Sequence, residues 1–258
     1  MSTIDRDTPG GARAAGRDGR PATRLVRALR ALEVPLLAAV PCAMFALAAL
    51  DADQSALLML VVVALVIALF FAGYEADRPG LRQIMPTVVL AALGAAGRIL
   101  FAPVPDVKPL SAIAIIAGAA LGPRNGFMVG ALAAFTSNFF FGQGIWSPWQ
   151  MYAWGLVGYA GGVLAGTGAF DRADGSVRVP SLAVWGFCSG LLYGFVINAY
   201  DIIGFVRPFT WAGALARLAA AVPFDLMHAA STAVFLVALY KPWTHRIGRV
   251  VAKYRLRE

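Results

Sequence analysis

The chain has 258 residues, of which 59% are hydrophobic and 14% are charged, and its mean hydropathy is +0.70. Soluble globular domains are roughly 45–50% apolar, so this composition excludes an ordinary soluble domain and predicts a polytopic membrane protein. The formal net charge of +8 does not indicate nucleic-acid binding, because the basic residues concentrate at the two ends of the chain.

The N-terminal part of the chain predicts a tail followed by a membrane hairpin. Residues 1–30 are rich in Gly, Ala, Arg and Asp without apolar periodicity, which predicts a disordered, basic cytoplasmic tail. A signal peptide is the competing interpretation, but the long basic segment and the immediate second apolar run argue against it. Residues 31–81 predict an accessory two-helix transmembrane hairpin. Its apolar runs are 34–50 and 56–73.

Residues 82–241 carry polar side chains within and between their apolar segments, unlike the uniformly apolar run 56–73, and they predict a six-helix core. Its apolar segments are 85–101, 109–122, 126–141, 149–167, 182–203 and 212–240. The basic residues that follow predict a second cytoplasmic tail over 242–258. With eight spans, the positive-inside rule places both termini in the cytoplasm and the protein in the cell membrane.

The connections between the core segments are rich in proline and polar residues, most of all within 98–150. Irregular backbone at membrane depth is tolerated only where it is buried in protein or lines a water-filled cavity. These breaks therefore predict a binding cavity on the outer side. Aromatic rings beside amides suit a partly apolar, hydrogen-bonding ligand, although the interfacial aromatic belt is an alternative explanation for Trp146 and Trp149. The candidate ligand-binding residues at these junctions are Asp106, Lys108, Asn138, Trp146, Gln150 and Trp154.

Asp225 and His228 complete the candidate set, because they lie three residues apart and share one face of the last core helix. An ionisable group inside a membrane is costly and is a functional candidate by default. The alternative is a structural Asp–Arg or Asp–His pair that locks the core.

The first core helix carries small residues four apart, a spacing that allows close approach of another helix. The two pairs are Ala91/Ala95 and Ala92/Ala96. Ordinary packing within the bundle explains these pairs equally well.

Missing motifs narrow the function. No G-x-x-x-x-G-K-[ST] motif occurs, so we expect no ATPase activity in this chain, and Cys and His never show metal-ligand spacing. Ser189 and His228 suggest an intramembrane hydrolase, but Phe187 stands where such enzymes place a glycine. We therefore expect a protein that is not an enzyme and has neither cofactor nor metal.

Taken in order, these motifs resemble the substrate-specific (S) component of energy-coupling-factor (ECF) vitamin transporters over residues 82–240. The resemblance rests on five pieces: Gly97-Arg98, FAPVPDVKP at 101–109, LGPRNG at 121–126, SNFFFGQG with WSPWQM at 137–151, and PFDLMHA at 223–229. Within that family, the chain is most similar to the branch linked to cobalamin or its corrinoid precursors.

The resemblance implies a six-helix core that holds a vitamin near its outer face, with the loop after the first core helix as a lid. It implies that Ala91/Ala95 or Ala92/Ala96 docks on a coupling transmembrane (T) subunit, and that two cytoplasmic ATPases supply the work. The expected partners are thus a vitamin, these subunits and the lipid bilayer, with no nucleic acid. An ion-coupled secondary transporter that uses Asp225 and His228 remains an alternative, as does the hydrolase.

Overall fold

The computed structural model describes residue 28 and residues 31–50, 55–76 and 80–254. Apart from residue 28, the predicted N-terminal tail lies outside the described residues. The described regular structure is helical, with one isolated antiparallel bridge between Asp171 and Val177, so the expected all-α fold is confirmed for this part of the chain. The helices are α1 Glu33–Ala49, α2 Ser55–Ala76, α3 Leu81–Leu100, α4 Leu110–Leu121, α5 Pro123–Phe141, α6 Ser147–Gly166, α7 Val179–Phe205 and α8 Trp211–Lys253.

Four of these helices are long and apolar enough to cross a membrane, namely α2, α3, α7 and α8. Helices α1 and α4 are apolar but have only 17 and 12 residues. A crossing needs about 20 mostly apolar residues. The four long helices therefore indicate a helical membrane protein, whereas eight separate crossings remain a prediction.

The helix ends follow local sequence signals. The backbone N–H of Gly80 donates to Gln83 Oε1 at 2.9 Å before α3, and Thr210 Oγ1 accepts from the Gly213 N–H at 3.1 Å at the start of α8. Between α4 and α5 the chain turns at Gly122, whose φ of +101° favours glycine, and α5 then begins with Pro123.

Helix α8 is longer than the sequence predicted. Its apolar segment was expected over 212–240, but the helix continues through Pro242 to Lys253. Packing stabilises this extension of the helix, because Trp243 and Ile247 contact two hydrophobic clusters of the bundle. Most of the predicted basic tail at 242–258 is therefore helical, and residues 255–258 lie outside the described part of the chain.

Helix α4 is the centre of the bundle and packs against α3, α5, α6 and α8. Its nine residues from Leu110 to Gly118 are all buried. Close approach depends on glycine, since a Cβ on Gly126 of α5 would lie 2.7 Å from Gly118 Cα and 2.7 Å from the Gly158 carbonyl carbon of α6. A short apolar helix enclosed in this way is a core element.

The hairpin α1–α2 packs on α6 and α7 and shares one hydrophobic cluster with them. The rings of Phe70 and Phe127 are 3.9 Å apart, and the Tyr152 hydroxyl donates to the Leu37 carbonyl at 2.6 Å. Glu33 forms an ion pair with Arg124.

The bundle has two chemically different ends. At the first, which we call the basic end, Arg82 and Arg246 line one cavity, and Thr87 of α3 donates to Asn125 at the start of α5. At the second, the loop end, the end of α3 meets the end of α5 and the start of α6. The predicted ligand-binding junctions belong to the loop end.

Candidate functional site

A buried polar cluster lies at the loop end, and Arg98 is at its centre. Arg98, on the last turn of α3, is 7% exposed. Its Nη1 donates to Ser137 Oγ at 2.7 Å and to Asn138 Oδ1 at 2.6 Å, and its Nη2 lies 3.4 Å from Gln150 Oε1. Asn138 Nδ2 donates to Gln150 Oε1 at 2.8 Å. Two predicted residues, Asn138 and Gln150, are thus joined through an arginine outside the predicted set.

A second chain of hydrogen bonds lies beside this cluster, where Trp154 contacts the Arg98 guanidinium, and reaches α8. The indole Nε1 of the buried Trp154 donates to Ser111 Oγ at 3.0 Å, and the same oxygen lies 3.0 Å from His228 Nε2. The ring of Tyr193 packs at a tilt against both Trp154 and His228, with centroid distances of 4.4 Å and 4.8 Å. Helices α4, α6, α7 and α8 therefore meet at one aromatic and polar site.

The 101–109 loop closes over this site through its backbone. The Asp106 carbonyl lies 3.3 Å from His228 Nδ1, and the Lys108 N–H donates to Ser231 Oγ at 3.1 Å. Burial raises the pKa of the Asp106 carboxyl, and Lys108 opposes that rise; burial likewise lowers the pKa of the Lys108 ammonium. Both charged groups are therefore partly desolvated next to the cluster.

The remaining predicted residues occupy different positions. Asp225, one turn before His228 on α8, accepts a hydrogen bond from Asn198 Nδ2 at 2.7 Å. Trp146 is 44% exposed and caps the start of α6, where its carbonyl accepts from the Gln150 N–H. The structure thus places Asp225 beside the cluster and Trp146 on the surface near it.

Ser189 and His228 are not hydrogen-bonded to each other. The Ser189 hydroxyl donates to the Gly186 carbonyl at 2.9 Å within its own helix, while His228 faces Ser111. The described part of the chain also has no group of three or more His, Cys, Asp or Glu residues that could hold a metal.

The four docking alanines separate onto two faces of α3. Ala91 and Ala95 are 5% and 3% exposed and pack inside the bundle, whereas Ala92 and Ala96 are exposed. The structure narrows the predicted docking face to Ala92 and Ala96, because consecutive residues on a helix point about 100° apart. An apolar cavity of about 680 Å³ borders this face, with Leu93, Ala96 and Trp243 among its lining residues.

A family model matches residues 78–246, which is more than half of the chain. The chain belongs to this family of unknown function, DUF6580. The DUF6580 match begins between α2 and α3 and ends within α8, so it includes the polar cluster and leaves the hairpin outside. Neither a curated protein nor a solved structure matches the chain.

Sequence reasoning missed Arg98 and Ser111 as site residues of this DUF6580 chain, although each left a signal. Arg98 is a charged residue at the end of an apolar helix, and such residues are functional candidates by default. Ser111 is a single hydroxyl at the start of the apolar run LSAIAIIAGAAL.

Proposed function

We propose that this protein is the S component of an ECF vitamin importer, the membrane subunit that captures a vitamin and delivers it through a coupling subunit. The observation that carries the proposal is the buried polar cluster around Arg98 in a bundle of apolar helices. Buried polar and charged groups are costly in a membrane, which makes them functional-site candidates by default. The sequence resemblance to S components covers the same six helices, α3 to α8.

In the proposed mechanism, the vitamin replaces part of this hydrogen-bond network. The Asn138 amide is now bonded to both Arg98 and Gln150, so a ligand that separates these groups must offer equivalent donors and acceptors. The 101–109 loop would act as the lid, because its contacts to His228 and Ser231 are two single hydrogen bonds that a local movement breaks. The vitamin we propose is cobalamin or a corrinoid precursor.

The proposed orientation places the loop end outside the cell. Arg82, Arg124 and Arg246 lie at the opposite, basic end, and the positive-inside rule favours the cytoplasm for such residues. Both termini would then be cytoplasmic in the cell membrane, and the core would comprise six helices behind an accessory hairpin.

The proposed docking face for the coupling subunit is the exposed Ala92/Ala96 side of α3. Ala92 and Ala96 are exposed in the described structure, so the described part of the hairpin leaves this face open. Because the chain has no ATP-binding motif, two cytoplasmic ATPases bound to the coupling subunit would supply the work. Ligand affinity alone moves nothing uphill, so these subunits must favour different states of the S component.

Reconstitution in liposomes tests this proposal with radiolabelled cyanocobalamin. We expect the isolated chain to bind the vitamin, and uphill uptake to need the coupling subunit, both ATPases and ATP. The double variant Gln150→Ala/Trp154→Ala should weaken binding about tenfold or more, because it removes an amide and an indole from the cluster. Trp211→Ala, at a tryptophan 76% exposed on α8, is the matched control and should bind as the wild type does.

An ion-coupled secondary transporter is the second candidate, and the Asp225–Asn198 pair favours it. A carboxylate inside a membrane bundle, hydrogen-bonded to an amide at 2.7 Å, resembles the proton-binding groups of such transporters. Uptake by the isolated chain under a proton gradient, lost in Asp225→Asn, would support this candidate and reject the S component.

A further inference from the structure

We infer that the ligand carries a carboxylate or phosphate group, and that the Nε/Nη2 edge of Arg98 binds it. This inference rests on the proposed function, because it assigns the chemical class of the ligand in the same cluster. It does not depend on which vitamin is bound.

The hydrogen bonds of Arg98 leave one edge of its guanidinium open. Nη1 has two short bonds, to Ser137 and Asn138. Among the described residues, the buried Nε has no hydrogen-bond partner, and Nη2 has only the 3.4 Å contact with Gln150. The Nε–H and one Nη2–H of a guanidinium are parallel, and two oxygens of one anion fit this fork. The open edge is thus the one that binds carboxylates and phosphates side-on.

The charge of Arg98 has no counter-ion within the described structure. Its hydrogen-bond partners are a serine, an asparagine and a glutamine, all of them neutral. Two aromatic rings cover the guanidinium, with Phe141 and Trp154 at 4.6 and 4.8 Å. A buried charge is costly when it is unpaired, so an anionic ligand group would compensate a penalty that the free protein carries.

The surroundings reinforce the preference for an anion. Burial lowers the pKa of the Lys108 ammonium, and Asp106 opposes this shift. The nearby charge of Arg98 lowers the same pKa further. The two cations repel each other in the free protein, and a shared anion would relieve this repulsion. Phe141, whose ring lies over the guanidinium of Arg98, is 39% exposed, so the cluster lies close to the surface.

A site for an anionic group should distinguish compounds that differ in a phosphate or a carboxylate. A corrinoid that retains its nucleotide-loop phosphodiester offers two oxygens to the fork, whereas cobinamide lacks that phosphate. A carboxylate vitamin such as biotin also offers two oxygens, whereas its methyl ester offers a single neutral carbonyl. Neutral amides and esters bind a guanidinium through one acceptor, so they leave either Nε or Nη2 unsatisfied.

The experiment is equilibrium dialysis of the full chain in lipid nanodiscs against matched probe pairs. The pairs are cyanocobalamin with dicyanocobinamide, for phosphate, and biotin with biotin methyl ester, for carboxylate; riboflavin is the neutral vitamin. We expect one anionic probe to bind and its neutral counterpart to bind at least tenfold more weakly. Arg98→Gln should weaken binding of the anionic probe about 10- to 100-fold. Arg98→Lys should weaken it less, because a lysine keeps the charge without the planar fork of donors.

Arg217→Gln is the matched control, since Arg217 forms an exposed ion pair with Asp201 at 3.0 Å; its affinity should equal that of the wild type. If Arg98→Gln does not fold, the preference of the wild-type chain for the anionic member of each probe pair still tests the inference. Binding of riboflavin or of a neutral counterpart as tight as that of the anionic probes overturns this inference but leaves the proposed function standing. A folded wild-type chain that retains none of the probes counts against both.

Discussion

Ser111 shows how a single residue connects parts of the site that the sequence keeps separate. Its hydroxyl bridges the Trp154 indole and the His228 imidazole, each at 3.0 Å. In the sequence it is one serine at the start of an apolar segment, and serines in helices commonly bond to their own backbone. The packing of α4 against α6 and α8 is what brings the two rings to this hydroxyl. The partners of a polar side chain therefore depend on helix packing.

Asp106 should make the stability of the 101–109 loop depend on pH. Burial raises the pKa of its carboxyl above the ordinary value of 3.8, so the folded loop holds the proton more tightly than the open loop does. The resulting stabilisation is complete below that ordinary value and is lost as the pH rises through the raised pKa. Asp106→Asn removes the charge, and asparagine tolerates the φ of +56° at this position. We expect this variant to abolish the loss of loop stability with rising pH.

Amide hydrogen exchange of the non-proline residues of the loop, corrected for its intrinsic pH dependence, measures this effect. Asp174→Asn is the control, because Asp174 lies in a separate turn, where hydrogen bonds from Ser176 lower the pKa of its carboxyl. If the loop of Asp106→Asn still opened progressively with rising pH, Asp106 would not be the responsible group.

Helix α3 presents two faces that its sequence does not distinguish. The pairs Ala91/Ala95 and Ala92/Ala96 have the same spacing and the same residue type. Packing against α4 and α5 buries the first pair and leaves the second exposed. Which pair faces outward depends on the rotation of the helix about its axis, and only the tertiary contacts determine that rotation.

Leucine substitutions on the two faces should therefore have different effects. Ala91→Leu should destabilise the fold by about 1–3 kcal/mol, because it adds side-chain volume to a packed interior. Ala92→Leu should leave the fold intact but block assembly with the proposed coupling subunit, since a bulky residue holds helix backbones apart. Thermal unfolding in detergent measures the first effect, and copurification with the coupling subunit measures the second.

Ala219→Leu, at an exposed alanine of α8, is the control and should change neither stability nor assembly. Normal assembly of Ala92→Leu and Ala96→Leu would show that the coupling subunit binds elsewhere. An unchanged unfolding temperature for Ala91→Leu would contradict the packing of that face.

At the scale of the whole molecule, the hairpin and the core share one hydrophobic cluster. Val63, Phe70 and Met59 from α2 pack with Trp149 and Tyr152 from α6. These contacts act through close packing and hydrogen bonds, because lipid solvates exposed apolar side chains about as well as protein does. The hairpin therefore contributes to stability, while the polar cluster uses residues of α3 to α8.

Deletion of residues 1–79 should lower the unfolding temperature of the protein but preserve ligand binding. The deletion removes Leu37, which accepts the 2.6 Å hydrogen bond from the Tyr152 hydroxyl, and Phe70, which packs on Phe127. It leaves the Arg98 cluster intact. Thermal unfolding and cyanocobalamin binding of the truncated chain check the two outcomes. Tyr152→Phe in the full chain isolates the hydrogen bond, with an expected cost of about 1 kcal/mol. A truncated chain as stable as the full chain would show that the hairpin is not part of the folding unit.

Part of the candidate site was predictable from the sequence. Asn138 and Gln150 lie in one hydrogen-bond network, and Trp154 and His228 lie in a neighbouring one, because amides and aromatic rings at helix breaks face the interior when the helices close around them. The sequence signal at Arg98 was ambiguous, since a basic residue near a helix end is a functional candidate but is equally expected to reach the membrane surface.

By itself, the sequence determined the class of the protein and the positions of its helices. Hydropathy is a local property, so an apolar run predicts a helix without knowledge of its neighbours, and the predicted segments agree with α1 to α7 within a few residues. The tertiary structure alone decided which alanines are exposed, how far α8 extends and that Arg98 is buried without a counter-ion among the described residues. These features depend on helix rotation and on contacts between distant residues, and close packing of the whole bundle is what sets both.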